Sequence, residues 1–118
     1  MINRAQDMDP FKLSHSLTIE IYKLTEKSPP EEKFGHSSQM RRSAYSIPVN
    51  IVEGASRLGT KEYRQFAGIA RGSSGEISYQ LLLSKDLGYI SEQDYTSLKE
   101  RYDRVARMLT GLIRTLRR

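Results

Sequence analysis

Apolar residues recur at alternating spacings of three and four through the last quarter of this chain. The seam is Tyr95, Leu98, Tyr102, Val105, Leu109, Leu112 and Leu116. A helix of 3.6 residues per turn gathers those positions into one stripe, whereas a strand would scatter them over both faces. Ala106 and Ile113 widen the stripe, as expected of a helix packed on more than one neighbour. Ser91 suits the N-cap of this helix, and Glu92 and Asp94 place negative charge at its positive end.

Three further helices are predicted. One spans residues 60–87, with Thr60 as its cap, and carries Tyr63, Phe66, Ala70, Ser73, Ile77 and Leu81 on one stripe. Gly88 is placed to end it in a left-handed conformation. Gly72 and Gly75 lie inside the pattern, where glycine is unfavourable, so another backbone is expected to approach closely there. A second helix spans residues 10–27, capped by Asp9 with Pro10 in its first turn, and lines one face with Leu13, Leu17, Ile21 and Leu24. The third starts at Ser37 or Ser38 and carries Met40, Ala44, Ile47 and Ile51. Pro48 lies within it, and a kink is expected because the apolar phase continues across the proline. Four helices with short connections predict an all-α, antiparallel up-and-down four-helix bundle. It forms one domain over residues 1–118, with a short flexible N-terminus over about residues 1–8.

Composition removes several classes of function. The 118 residues contain no Cys, which excludes disulfides and thiolate chemistry. No apolar stretch approaches the roughly 20 residues that span a bilayer, and no signal-peptide pattern opens the chain. A cytoplasmic location without membrane association is the expectation. Neither His15 nor His36 stands three residues after a Glu, so the Glu-x-x-His pattern of di-metal bundles is missing. No phosphate loop, nucleophile elbow or dinucleotide fingerprint occurs. The sequence therefore offers no catalytic residue, metal ligand or cofactor.

The net charge of +5 is unevenly distributed. Residues 36–75 carry six basic and two acidic side chains, and residues 99–118 carry seven and two. Basic surfaces of this kind attract polyanions, and they also occur simply as solvated helix faces. On a helix, Arg42, Ser46, Asn50, Glu53 and Arg57 share one side. Two readings stay open for that stripe. It is either a hydrogen-bonded network or subunit contact joining Ser46, Asn50, Glu53, Arg57 and Glu76, or part of a ligand or nucleic-acid site.

Within this region, Arg41-Arg42, Ser46-Ile-Pro48-x-Asn50-Ile-x-Glu53-Gly54, Glu62-Tyr-Arg-Gln-Phe66 and Ile69-Ala-Arg-Gly72-Ser73-x-x-Glu76 stand in succession, followed by Leu87-Gly88-Tyr89-Ile90. Together these resemble the signature of the bacterial four-helix-bundle family named after the 23S rRNA intervening-sequence protein. Phe11 and Leu13 at the start, and Met108-Leu109 with Leu112-Ile113 at the end, extend the resemblance over roughly residues 10–116. Ser43 and Val52 are mild departures, standing where an Ala is usual. The resemblance implies bundles that assemble as homo-oligomeric rings, typically pentamers. It also implies similarity to accessory bundles that bind RNA and a reverse transcriptase.

Residues and resemblance together predict a non-enzymatic, oligomeric bundle that binds nucleic acid, RNA or DNA, with structured RNA preferred. Its contacts are expected at Arg41, Arg42, Arg57, Lys61, Arg64 and Arg71, with the arginines of residues 101–118 as a second patch. The rival expectation is a protein–protein adaptor or structural scaffold with no nucleic-acid role, whose arginines and Glu53 make subunit contacts. A protein partner such as a reverse transcriptase is expected from the resemblance.

Overall fold

The computed structural model describes residues 5–32 and 35–117. Four helices account for most of them: α1 (Asp9–Thr25), α2 (His36–Ala55), α3 (Thr60–Asp86) and α4 (Glu92–Leu116). Short 3-10 turns at Ala5–Asp7 and Pro30–Glu32 precede α1 and α2. Successive helices run antiparallel, and each packs on its two neighbours in ring order to give a rod of 44 × 23 × 22 Å. This is the up-and-down four-helix bundle expected from the periodicity.

The core is built from the predicted stripes. Leu17, Ile21, Ala44, Ile47, Ile51, Ala70, Ile77, Leu81, Tyr102, Val105 and Leu109 are fully buried. On α3 the buried row is Ala67, Ala70, Ser74, Ile77, Leu81 and Ser84. Tyr63, Phe66 and Ser73 sit at the edge of that row, because they turn toward α2. Tyr102 lies at the centre, and its hydroxyl finds no hydrogen-bond partner among the described residues. Burial, reinforced by the charge of Glu20, pushes that hydroxyl well above the usual phenol range.

The helix ends correct the sequence reading in part. Ser91 caps α4 as expected, accepting from the Asp94 amide at 3.0 Å. The other N-caps are Met8, Gly35 and Gly59, and none makes a side-chain bond. Asp9 and Thr60 are the first residues inside their helices, and Ser37 turns into the core. Helix α1 stops at Thr25, two residues early. The expected mobility at the N-terminus falls partly on residues 1–4, outside the described residues. Ala5, however, is buried in the core cluster. Gly88 behaves as predicted, at φ +80. Its amide bonds Lys85 O and the Tyr89 amide bonds Ser84 O, which is the Schellman pattern.

Pro48 does not divide α2, which runs unbroken from His36 to Ala55. The proline cannot supply an amide to the carbonyl of Ala44. The Thr18 hydroxyl of α1 lies 3.2 Å from that oxygen and 2.7 Å from Ser14 O, so its single proton can serve either acceptor.

Close backbone approach occurs at a different glycine from those expected. A Cβ added at Gly72 or Gly75 would meet nothing within 4 Å. One added at Gly54 would lie 2.9 Å from the Phe66 Cβ and 3.2 Å from Tyr63 O. The α2–α3 crossing is therefore tightest just before the turn that joins the two helices.

Candidate nucleic-acid interface

The bundle joins the two basic blocks along α3 and α4. Arg64 donates from Nη1 to the Leu116 carbonyl at 3.3 Å. Three heptads later, Lys85 places its ammonium 4.7 Å from the centre of the Tyr95 ring. These two contacts set the row Arg64, Arg71, Ser78, Lys85 on the α4 side of α3. On α4, Arg104, Arg107, Arg114 and Arg117 are exposed. No acidic residue follows Asp103 in the chain, and Asp103 itself accepts from Lys99 at 2.8 Å. Arg104 and Arg114 are separated by about 15 Å along the helix. Arg114 and Arg117 flank Leu116, where Arg64 arrives, so the rows meet at that end.

Arg101 is removed from the second patch. Its guanidinium forms a two-pronged pair with Glu20 of α1, including an Nη2–Oε1 bond of 3.0 Å, and also bonds Ser97. It joins α1 to α4 and is not free for a phosphate. Its proton is held more tightly than usual, first through the hydrogen bond to Glu20.

The six residues expected to bind nucleic acid separate into groups. Arg41 donates to Thr25 Oγ1 at 2.7 Å and to Tyr22 O at 3.0 Å, and its guanidinium stacks over the Tyr22 ring. It acts as a clamp between α1 and α2. Arg42 is exposed on α2, about 20 Å along the helix from its end at Ala55. Arg57 sits between Glu53 (3.1 Å) and Glu62 (3.4 Å) and lies over the Phe66 ring. Lys61 and Arg71 are exposed, and Arg64 is half-buried against Leu116. Lys61, Arg64 and Arg71 therefore belong with the α4 arginines, while Arg41 and Arg42 lie toward the other end.

The polar stripe also divides. Ser46 Oγ meets Ser73 Oγ at 2.9 Å, and Asn50 donates to Ser46 O and Oγ at 2.7 and 3.0 Å. Ser43 donates to Glu76 at 2.6 Å. The Glu53–Arg57 pair is on the surface, 47% and 40% exposed. Asn50 is not bonded to either. The expected continuous network is thus three local ones, because Gly54 seats α2 against α3 and rolls Glu53 outward. Ser43 and Ser73 enter these networks because the α2–α3 packing brings Ser43 to Glu76 and Ser73 to Ser46, pairings between residues 33 and 27 apart that periodicity along one helix does not reveal.

At the opposite end, His36 Nε2 lies 2.6 Å from Ser84 Oγ beside a cavity of about 210 Å³. Ser84 also donates to Gln80 O at 2.8 Å and is 1% exposed. The hydroxyl links α2 to α3, and His36 and Ser84 both line that cavity. Among the described residues no group of three His, Asp or Glu could hold a metal ion. No helix among them is long and apolar enough to cross a membrane.

Fold and surface thus define a small four-helix bundle with exposed arginines along α3 and α4. Residues 6–111 match the family model described as 23S rRNA-intervening sequence protein, and the chain belongs to that family. A solved structure from Bacteroides thetaiotaomicron, described as a protein of unknown function from the S23 ribosomal protein family, has the same fold. Its TM-score is 0.82 at 23% identity, covering 89% of this chain and 95% of that one. No curated protein matches.

Proposed function

We propose that this chain is a non-enzymatic, cytoplasmic, homo-oligomeric bundle that binds RNA through the α3–α4 side. The observation that carries the reading is the row of exposed arginines on the second half of α4, which have no ion pair among the described residues and are joined at their end by Arg64. Two nearby carboxylates have cations, Asp103 with Lys99 and Glu20 with Arg101, while Glu100 stands one turn before Arg104. Arginines so placed contact phosphates and position a nucleic acid without reading its sequence. Repetition of the row in an oligomer, with a pentamer preferred from the family resemblance, would add weak contacts through multivalency. A reverse transcriptase remains the kind of protein partner that the resemblance suggests.

The test is a salt titration of binding to a structured RNA, read by fluorescence anisotropy. Each phosphate neutralised contributes about −0.7 to −0.9 to the log–log slope. Replacing Arg104, Arg107 and Arg114 by Gln should flatten the slope by about two to three contacts. Replacing Arg41 and Arg42 should change it less. Equal effects would remove the site assignment. Absence of salt-sensitive binding by the unmodified protein at low ionic strength would replace this reading with the adaptor one.

A further inference from the structure

On the side of the bundle opposite α3 and α4, an open groove of about 500 Å³ runs between α1 and α2, lined chiefly by Phe11, His15, Tyr45, Val49 and Val52. Its rings are displayed at the surface. Those of Phe11 and His15 lie parallel, with centroids 5.6 Å apart and 9° between their planes. His15 is exposed, so a further flat ring can extend the pair. Tyr45 stands across the groove on α2 and is 48% exposed. Tyr22, about two turns beyond His15, continues the row on α1, and the Arg41 guanidinium already lies over it at 4.5 Å.

The charge beside these rings is positive. Exposed Lys12 stands one turn before His15, and exposed Arg42 one turn before Tyr45, so each ring has a cation as its neighbour on the helix surface. Glu53, the acid in the lining, is held by Arg57 at 3.1 Å. Glu20 turns away to Arg101 on α4, and Asp9, about three turns before it, shares that side of α1. Glu26 lies about three turns beyond His15, past Tyr22.

We propose that this groove takes the unpaired bases of a single-stranded RNA segment, with bases stacked on His15 and Tyr45 and their phosphates beside Lys12 and Arg42. Every base has a flat π-face, so aromatic side chains hold single strands without reading sequence, while neighbouring cations hold the backbone. A duplex covers the faces of its bases and would leave these rings unused. A purely apolar partner would leave Lys12 and Arg42 without counter-charge. The inference rests on RNA as the class of ligand, but on none of the α3–α4 residues that carry the reading above.

The chain contains no Trp, which makes the test direct. Tyr45→Trp keeps a ring in the groove and installs a single indole there. A short unstructured RNA should quench its emission, and an abasic strand of equal length and charge should not. In anisotropy titrations at one salt concentration, Tyr45→Ala should weaken binding of the base-bearing strand by about 5-fold or more and leave the abasic strand unchanged. Tyr45→Phe should bind both as the parent does. Helicity by circular dichroism, unchanged from the parent, shows that each variant folds. Adding the Gln substitutions at Arg104, Arg107 and Arg114 to Tyr45→Trp should keep the quench, so failure of the α4 assignment leaves this site standing. Equal affinity of the parent for the two strands would overturn the proposal and leave only phosphate contacts. A shift of the indole emission to shorter wavelength on concentrating the protein alone would also overturn it, and would give the groove to a second copy. Absence of binding to either strand would remove this site together with the RNA reading.

Discussion

Gly54 of α2 lies directly against Phe66 of α3, with room for a hydrogen but not for a methyl group. A Cβ there would stand 2.9 Å from the Phe66 Cβ, an atom fixed to the α3 backbone, and 3.2 Å from Tyr63 O. Gly54→Ala should therefore destabilise, since overpacking costs about 1–3 kcal/mol and outweighs the roughly 1 kcal/mol gain in helix propensity. Gly111→Ala is the matched control. It is exposed with nothing within 4 Å, and should stabilise by up to about 1 kcal/mol. Thermal denaturation of the two variants should move in opposite directions.

The Thr18 hydroxyl stands 3.2 Å from the Ala44 carbonyl that Pro48 leaves without an amide. Thr18→Val keeps the shape and removes the donor. A loss of about 1 kcal/mol is expected in urea denaturation, with Thr18→Ser restoring most of it. Equal losses from both would show that the hydroxyl does not serve the carbonyl.

The polar stripe should respond unevenly to substitution. Glu53→Ala removes an exposed pair, so its stability should change by less than about 0.5 kcal/mol. Ser43→Ala removes a buried donor to a carboxylate and should cost about 1 kcal/mol. A sharp loss at Glu53 would restore the continuous network expected from the periodicity.

The buried Tyr102 hydroxyl predicts a pH dependence. Its pKa in the fold is raised above the ordinary 10.0, chiefly by burial. The stability linked to its neutral form is thus fully present below about pH 10. It falls above that pH, as the unfolded chain loses the proton that the fold retains. Tyr102→Phe removes a hydroxyl without a partner, so near pH 7 it should be neutral or stabilising by up to about 1 kcal/mol. The difference between parent and variant should widen above pH 10 in denaturation curves taken at several pH values.

Much of this architecture is legible in single residues and their spacing. The seam from Tyr95 to Leu116, the Ser91 cap and the Gly88 terminus all depend on neighbours within one or two turns, so local periodicity and backbone sterics determine them. The sequence by itself also determined that thiol chemistry is absent and that charge gathers in two blocks. Which helix faces meet depends on the packing of residues far apart in the chain, and the tertiary structure alone decided it. Antiparallel pairing of α3 with α4 carried Arg64 to Leu116 and merged the basic blocks, while Glu20 withdrew Arg101. Steric fit at Phe66 selected Gly54 for the tight crossing and left Gly72 and Gly75 open. That same fit rolled Glu53 to the surface and parted it from Asn50, because a helix can seat only one side against its neighbour.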